Sequence, residues 1–425
     1  MKKKIAIISE QAFPFTLSGS IGTVGLNVYV AELAKNLSIA GYSIDIYTRW
    51  DDAQLPQIVH WKPGIRIIHI KAGPTTPILK EDLLPFLPEF RQNMLDFIRI
   101  QKLSYGLIHA NFWTSALVAS QLKEILAIPF VVTFHALGYL RRIYQNEYEY
   151  SLSERILIEE DVIKKADQII AVCPQDKEDL MRYYSTPAFK ITIIPCGYNP
   201  EELYPVNKMM AREILKLDPK EFILLQLGRI VPRKGVDNLI HALSKLKSAN
   251  MNVRLLLVGI EQGVEMFRLQ TLARENALEE FVTFTGPENR EMLKYYYSAA
   301  DIFVTTPWYE PFGITPLEAM ACGTPVIGAE VGGIKYTVLD GQTGFLVPSR
   351  DPDMLAQKIR LLNSKPRLHL KMSNNALERV KSEFTWDKVA AQMDRLYEHI
   401  LISSRQTSIS MFTSPSQPNQ NSFLM

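Results

Sequence analysis

The chain has 425 residues, 47% hydrophobic and 22% charged, with a formal net charge of +2 at neutral pH. That length exceeds one ordinary core and suits two domains of roughly 200 residues each, and no apolar run reaches the roughly 18 residues that a membrane span needs. The balanced charge gives no field for wholesale binding of nucleic acid or anionic lipid. Three widely spaced cysteines, Cys173, Cys196 and Cys322, form no C-x-x-C pattern. They argue against a disulfide scaffold or zinc site and point to reducing, cytoplasmic surroundings. The basic start, Met1-Lys2-Lys3-Lys4, precedes an apolar run covering only 5–8, too short for an export signal.

Short β-rich apolar runs alternate with segments of helical period, the pattern of parallel α/β sheets, and the pattern occurs twice. Residues 5–9 read as the first strand; Val30, Leu33, Ala34 and Leu37 then share one helical face before Gly41 ends the helix. Strands are expected next at 44–48, 65–70, 107–110, 130–134, 168–172 and 191–194. The stretch 96–103 carries Arg99 and Lys102 beside Phe97, Ile98 and Ile100. It reads either as a buried helix with solvated cations or as a face for peripheral membrane contact. After Pro195-Cys196-Gly197-Tyr198-Asn199-Pro200 the chain passes through Pro205, which predicts a hinge near 197–207. A second sheet is expected from strands at 222–227, 253–258, 282–285, 302–305, 326–328 and 345–347. The expected organisation is a first domain over 1–200, a second over 205–380, and a helix at about 384–402 packing back on the first domain. The tail over 403–425, rich in Ser, Thr, Pro, Gln and Asn, reads as disordered.

Two segments carry chemistry. In Glu310-Pro311-Phe312-Gly313-Ile314-Thr315-Pro316-Leu317-Glu318, seven residues separate two carboxylates at a strand-to-helix junction, with a proline in the first helical turn. Ligands of doubly wound sheets bind at the carboxyl ends of strands, where helix-start amides favour anions. Glu310 and the amides of Phe312, Gly313, Ile314 and Thr315 would then face one crevice. Spacing alone equally allows a solvated loop acid and a helix-surface acid. The second segment, Gly228-Arg229-Ile230-Val231-Pro232-Arg233-Lys234-Gly235, directly follows the strand at 222–227. An arginine fork and a lysine there can meet phosphates and stabilise a departing diphosphate; alone, the segment could be a basic surface turn. Asp351-Pro352-Asp353 fits the Asp-x-Asp pattern of metal-using transferases, but it follows the last strand and opens a helix, where aspartate caps and proline starts. Asp51-Asp52 reads as loop, and no metal is expected.

Together with Thr133-Phe134-His135-Ala136-Leu137-Gly138, these segments resemble the retaining glycosyltransferases of family 4. The resemblance extends through Gly25-Leu26-Asn27-Val28-Tyr29-Val30, Lys80-Glu81-Asp82-Leu83-Leu84-Pro85, Gly332-Gly333 and Gly341-Gln342-Thr343-Gly344 to about residue 400. Within the family the sequence is most similar to inositol-phosphate N-acetylglucosaminyltransferases and bacterial sucrose-phosphate synthases. The resemblance implies the GT-B fold, in which two Rossmann-like domains face one another across a cleft. It implies transfer of a hexosyl group from a nucleotide diphosphate sugar, by preference a UDP-sugar, to an acceptor hydroxyl, without cofactor or metal. Glu318 then matches the acid that bonds the ribose, and Glu310 with the amides of Phe312, Gly313, Ile314 and Thr315 the group that holds the sugar and diphosphate. Arg229 and Lys234 match the diphosphate clamp, Gly25 the first-domain amide that approaches the diphosphate, and His135 the residue beside the sugar C6 hydroxyl. Asn27, Lys80 and Arg155 match acceptor contacts, with the last two implying a phosphorylated sugar or cyclitol.

Three departures fall in the first domain: Val24 where a glycine is expected, Asn111 in place of a second histidine in His109-Ala110-Asn111-Phe112, and Ala136 after His135. They leave the acceptor open. A peripheral membrane transferase acting on a lipid or polysaccharide precursor, a nucleotide-sugar epimerase or phosphorylase of the same shape, and a non-catalytic nucleotide-sugar binder are the alternatives. A binder would be expected to lose one of Arg229, Lys234, Glu310 or Glu318, and all four are present.

Overall fold

The computed structural model describes residues 3–11, 24–79, 82–145, 150–259 and 263–413. Its first half forms an eight-stranded sheet from β1 (Lys4–Ile8), β2 (Ser43–Arg49), β3 (Ile58–Lys62), β4 (Ile65–Ile70), β5 (Leu107–Asn111), β6 (Phe130–Thr133), β7 (Gln168–Ala171) and β8 (Ile191–Ile193), in the order β3-β4-β2-β1-β5-β6-β7-β8. All neighbours pair in parallel except β3 and β4. The second half adds a fully parallel sheet of β9 (Phe222–Leu227), β10 (Val253–Val258), β11 (Val282–Gly286), β12 (Ile302–Thr305), β13 (Val326–Ala329) and β14 (Gly344–Val347), ordered β11-β10-β9-β12-β13-β14. Parallel strands are covered on both faces and so read as unbroken apolar runs. Strands such as Lys4–Ile8 and Val326–Ala329 are buried along nearly their whole length. The strand Ile58–Lys62 was not expected: its alternation of half-buried and exposed residues belongs to an antiparallel edge strand.

The chain crosses between the sheets twice, and the two crossings lie together. Tyr198 N–H donates to Phe384 O at 2.8 Å and Trp386 N–H to Tyr198 O at 3.3 Å. Gly197 lies so close to Trp386 that a Cβ on it would come within 2.9 Å of the indole. Trp386 itself is 2% exposed and joins a core cluster shared by Tyr29, Tyr198, Phe312 and Phe384.

The C-terminal helix Trp386–Thr413 returns to the first sheet. Tyr42 Oη donates to Asp394 at 2.6 Å, and Tyr397 Oη bonds His109 Nδ1 at 2.6 Å while His109 Nε2 meets Thr133 Oγ1 at 2.9 Å. Of the polar tail expected over 403–425, the part up to Thr413 continues this helix, and 414–425 lie outside the described residues. A helix already held by tertiary packing propagates at little further cost, so polar composition alone does not stop it. The basic and apolar stretch 96–103 is also assigned: it overlaps the helix Leu87–Ile100, in which Leu87, Phe90, Met94, Leu95, Phe97 and Ile98 are buried. Phe97 and Ile98 thus face the core, whereas Ile100 is 76% exposed. No helix among the described residues is long and apolar enough to cross a membrane.

Candidate active site

The carboxyl ends of β9, β12 and β13 build the second domain's side of the cleft. After β9 the chain turns through Gly228 and Arg229 into a short turn, Pro232–Lys234, and Gly235 opens the helix Val236–Ser248 with φ of 64°. A Cβ on Gly235 would stand 2.1 Å from Thr306 O, so only glycine lets this turn meet the end of β12. Trp308 N–H donates to Arg233 O at 2.8 Å, tying the loop after β12 to that turn. Lys234 Nζ consequently reaches Glu310 Oε2, with Arg233 Nη1 3.9 Å from the same oxygen. Burial alone would raise the Glu310 carboxyl, but Lys234, Arg233 and Arg229 outweigh it and hold the group below its usual range. Burial, with Arg233 and Arg229 adding to it, pulls the Lys234 ammonium down despite Glu310.

From below, Gly332 and Gly333 after β13 press on the 310–312 backbone. A Cβ on Gly332 would lie 1.8 Å from Glu310 O, and one on Gly333 2.3 Å from Phe312 O. The Phe312 side chain is core, 4% exposed, which turns its backbone toward the start of the helix Ile314–Ala321. Gly313, at φ 86°, makes the bend. The amides of Phe312, Gly313, Ile314 and Thr315 thus collect at one helix start, beside the Lys234–Glu310 pair. Glu318, one helical turn on, is buried and accepts from Tyr297 Oη at 2.8 Å and Arg290 Nη1 at 3.3 Å.

The first domain faces this assembly closely. Gly25, in the helix Val24–Ile39, comes within van der Waals reach of Ile314: a Cβ on it would be 3.6 Å from Ile314 Cδ1. Cys173 Sγ–H donates to Pro311 O at 3.3 Å, Lys335 Nζ donates to Gln175 at 2.8 Å, and Tyr144 stacks on Tyr309 with centroids 5.2 Å apart. His135 follows β6 with φ of 60°, an uncommon conformation outside glycine. Its Nε2 donates to Asn111 Oδ1 at 3.0 Å and its ring meets Tyr29 edge-on at 4.7 Å. Burial pushes His135 down to about 3, so the ring is neutral near pH 7.

Of the residues expected from sequence, Arg229, Lys234, Glu310, Phe312, Gly313, Ile314, Thr315 and Glu318 converge on one side of the cleft, with Gly25 opposite. Asn27 is buried on the same helix as Gly25. Lys80 lies outside the described residues. Arg155 points inward: it is 4% exposed, pairs with Glu159 at 2.7 Å, donates to Ala136 O at 2.5 Å and covers the rings of Phe112 and Trp113. Asp351 caps its helix by accepting from Met354 N–H at 2.9 Å, and Asp353 pairs with Lys245 at 2.8 Å. Four residues at the site were not expected: Arg233, Arg290, Tyr297 and Asn111. The departure at Asn111 was itself the signal, since the residue replacing the second histidine is the one that bonds His135.

A twin-sheet fold with a helix-start anion cradle and a buried Lys–Glu pair facing a glycine across the cleft defines a GT-B transferase. The family model described as "Glycosyltransferase Family 4" matches residues 24–202, and "Glycosyl transferases group 1" matches 207–379. A D-inositol 3-phosphate glycosyltransferase of Corynebacterium glutamicum is 31% identical over 93% of this chain and 96% of its own length. One from Streptomyces bingchenggensis is 31% identical over 95% and 91%. The structure of sucrose-phosphate synthase from Thermosynechococcus elongatus superposes with a TM-score of 0.86 at 35% identity, covering 94% of this chain and all (100%) of that one. The chain belongs to the family 4 glycosyltransferases and is itself a glycosyltransferase.

Proposed function

We propose that this glycosyltransferase moves a hexosyl group from a nucleotide diphosphate sugar, preferably a UDP-sugar, to a hydroxyl of a phosphorylated sugar or cyclitol, with retention and without a metal. The observation that carries the reading is the Lys234–Glu310 pair set beside the helix start at 312–315. The diphosphate lies against the helix-start amides with Arg229 and Lys234 on its oxygens, where they stabilise charge as it develops on the leaving group. Glu310 receives sugar hydroxyls, and Glu318, oriented by Tyr297 and Arg290, receives those of the ribose. In the reaction the bond from C1 to the diphosphate oxygen breaks, the acceptor oxygen bonds C1 on the same face, and the acceptor's proton passes to a diphosphate oxygen. Neutral His135, fixed by Asn111, can meet a sugar hydroxyl without adding charge. A phosphorylated acceptor is supported by the names of the relatives more than 30% identical.

The test is incubation with a matrix of nucleotide sugars and phosphorylated or dephosphorylated acceptors, with products identified by mass spectrometry and anomeric configuration by NMR. Transfer to a phosphorylated acceptor with the donor's configuration kept is the expected result. Release of free sugar alone, or an inverted product, would refute the reading.

A further inference from the structure

Glu318 is not an isolated donor acid. It begins a polar chain that leaves the donor site, passes the hinge and ends on the first domain. Its Oε1 accepts from Arg290 Nη1 at 3.3 Å, and Arg290 Nε donates to Glu202 Oε2 at 2.5 Å. Glu202 sits in the crossing segment, where its amide donates to Asn199 O at 3.2 Å. Asn199 Nδ2 bridges Glu202 Oε1 at 3.3 Å and Glu32 Oε2 at 3.5 Å. Glu32, 5% exposed, lies on the helix Val24–Ile39, whose first turn carries Gly25 against Ile314. Asn199 immediately follows Tyr198, the residue on which the two crossings pair.

Local need explains little of this arrangement. Tyr297 and one arginine nitrogen satisfy Glu318, and a second carboxylate on the same guanidinium is not required to neutralise it. Burial lowers Arg290, but Glu318, Glu202 and Glu32 together raise it above its ordinary value, so three acids from three parts of the chain act on one cation. Buried or half-buried charge networks of this kind resist rearrangement, because removing one member leaves another uncompensated.

We propose that Arg290 and Glu202 are positioning residues that link nucleotide binding at Glu318 to the placement of the first-domain helix carrying Gly25. The inference rests on the reading that Glu318 receives the nucleotide ribose. A ribose diol donating to Glu318 competes for the oxygens that Arg290 and Tyr297 use. Arg290 then shifts its charge toward Glu202, and Asn199 passes that pull to Glu32. The first domain is thereby drawn onto a bound donor and held less firmly on an empty cleft.

The experiment titrates UDP into the full chain by calorimetry for wild type, Glu202→Gln, Glu32→Gln, the double variant and Arg290→Lys. Glu202 has a 37% exposed side chain, so its amide variant should keep the melting temperature. The relay predicts about tenfold weaker UDP binding for Glu202→Gln and about threefold for Glu32→Gln, although neither touches the donor cradle, with the double variant no weaker than Glu202→Gln alone. Arg290→Lys, which keeps a positive charge but lacks the planar fork, should resemble Glu202→Gln. Should wild type fail to bind UDP, the donor reading falls and the relay with it. If wild type binds and Glu202→Gln or Glu32→Gln binds equally well, or their losses simply add, the relay is wrong and the donor reading stands.

Discussion

Lys234 reaches across from the turn after β9 to the carboxylate of Glu310 on the loop after β12, joining two strand ends of the second sheet. Arg229 acts on both members electrostatically. Arg229→Ala and Lys234→Ala should each lower turnover by about 100-fold or more, because each removes a charged contact whose value rises as the diphosphate leaves. Steady-state kinetics check this. Near-normal turnover in both variants would mean that the cations only hold the loop.

Backbone proximity at the loop gives a second expectation. Gly333 has no room for a side chain, since a Cβ would meet Phe312 O at 2.3 Å and Phe312 Cα at 2.4 Å. Gly333→Ala should therefore push the helix-start amides out of place and weaken nucleotide binding by about tenfold or more, while the sheets keep their fold. Calorimetric UDP titration alongside circular dichroism separates the two effects. Unchanged UDP affinity would show that the 310–313 backbone can move without consequence.

These two tests concern the part of the molecule that was most legible in sequence. Arg229, Lys234, Glu310 and Glu318 lie within 229–235 and 310–318, directly after expected strands, so local spacing put them at strand ends, while the roles expected of them came from the family resemblance. The parallel strands were equally readable because burial on both faces makes them continuous apolar runs. What spacing does not carry is pairing over long separations. Arg290 and Tyr297 are on a different helix from Glu318, and Asn111 ends β5 whereas His135 follows β6. Arg155 with Glu159 was readable as a helical pair, but its burial under Ala136, Phe112 and Trp113 depends on packing between separate helices and strands.

Acid–base behaviour supplies a third prediction. Burial pushes the Asp176 carboxyl up from 3.8 to about 7, against the Val172 amide that donates to it at 3.0 Å; Asp179 adds to the rise. The folded state thus prefers the protonated form. Its contribution is complete below about 3.8 and is lost as pH rises through about 7. Asp176→Asn keeps an acceptor for Val172 and removes the titration. It should leave stability at pH 4 nearly unchanged and raise it at pH 8 by about 4 kcal/mol, a shift of roughly three pKa units at about 1.4 kcal/mol each. Urea unfolding at the two pH values decides it, and equal effects at both would place the Asp176 charge elsewhere in the balance.

A fourth prediction follows from proposing that cations replace a metal at the diphosphate. Transfer should proceed at more than about half its rate in excess chelator, because Arg229 and Lys234 supply the positive charge that a divalent ion provides elsewhere. Asp351 and Asp353 should not change this, since one caps a helix and the other pairs with Lys245. Their alanine variants, assayed with and without added magnesium, test the point. Loss of activity in chelator with recovery on magnesium would overturn it.

The last prediction concerns Arg155, which the family resemblance places among acceptor-phosphate contacts and the structure places inside the first domain. Its Nε and Nη2 serve Glu159 and Ala136 O, and its guanidinium lies over Phe112 at 5.0 Å and Trp113 at 5.7 Å. Glu159 is 0% exposed and also accepts from Gly138 N–H and Tyr184 Oη. Removing the arginine leaves that carboxylate buried with neutral donors only, a change that typically costs about 3–5 kcal/mol. Arg155→Ala should accordingly lower the unfolding free energy by that order, and Arg155→Ala/Glu159→Gln should recover much of it by removing the orphaned charge. If the acceptor is phosphorylated, its preference over the dephosphorylated form should survive in the double variant and fall in Lys80→Ala. A double variant that is stable but has lost the phosphate preference would instead make Arg155 an acceptor contact that rotates outward on binding.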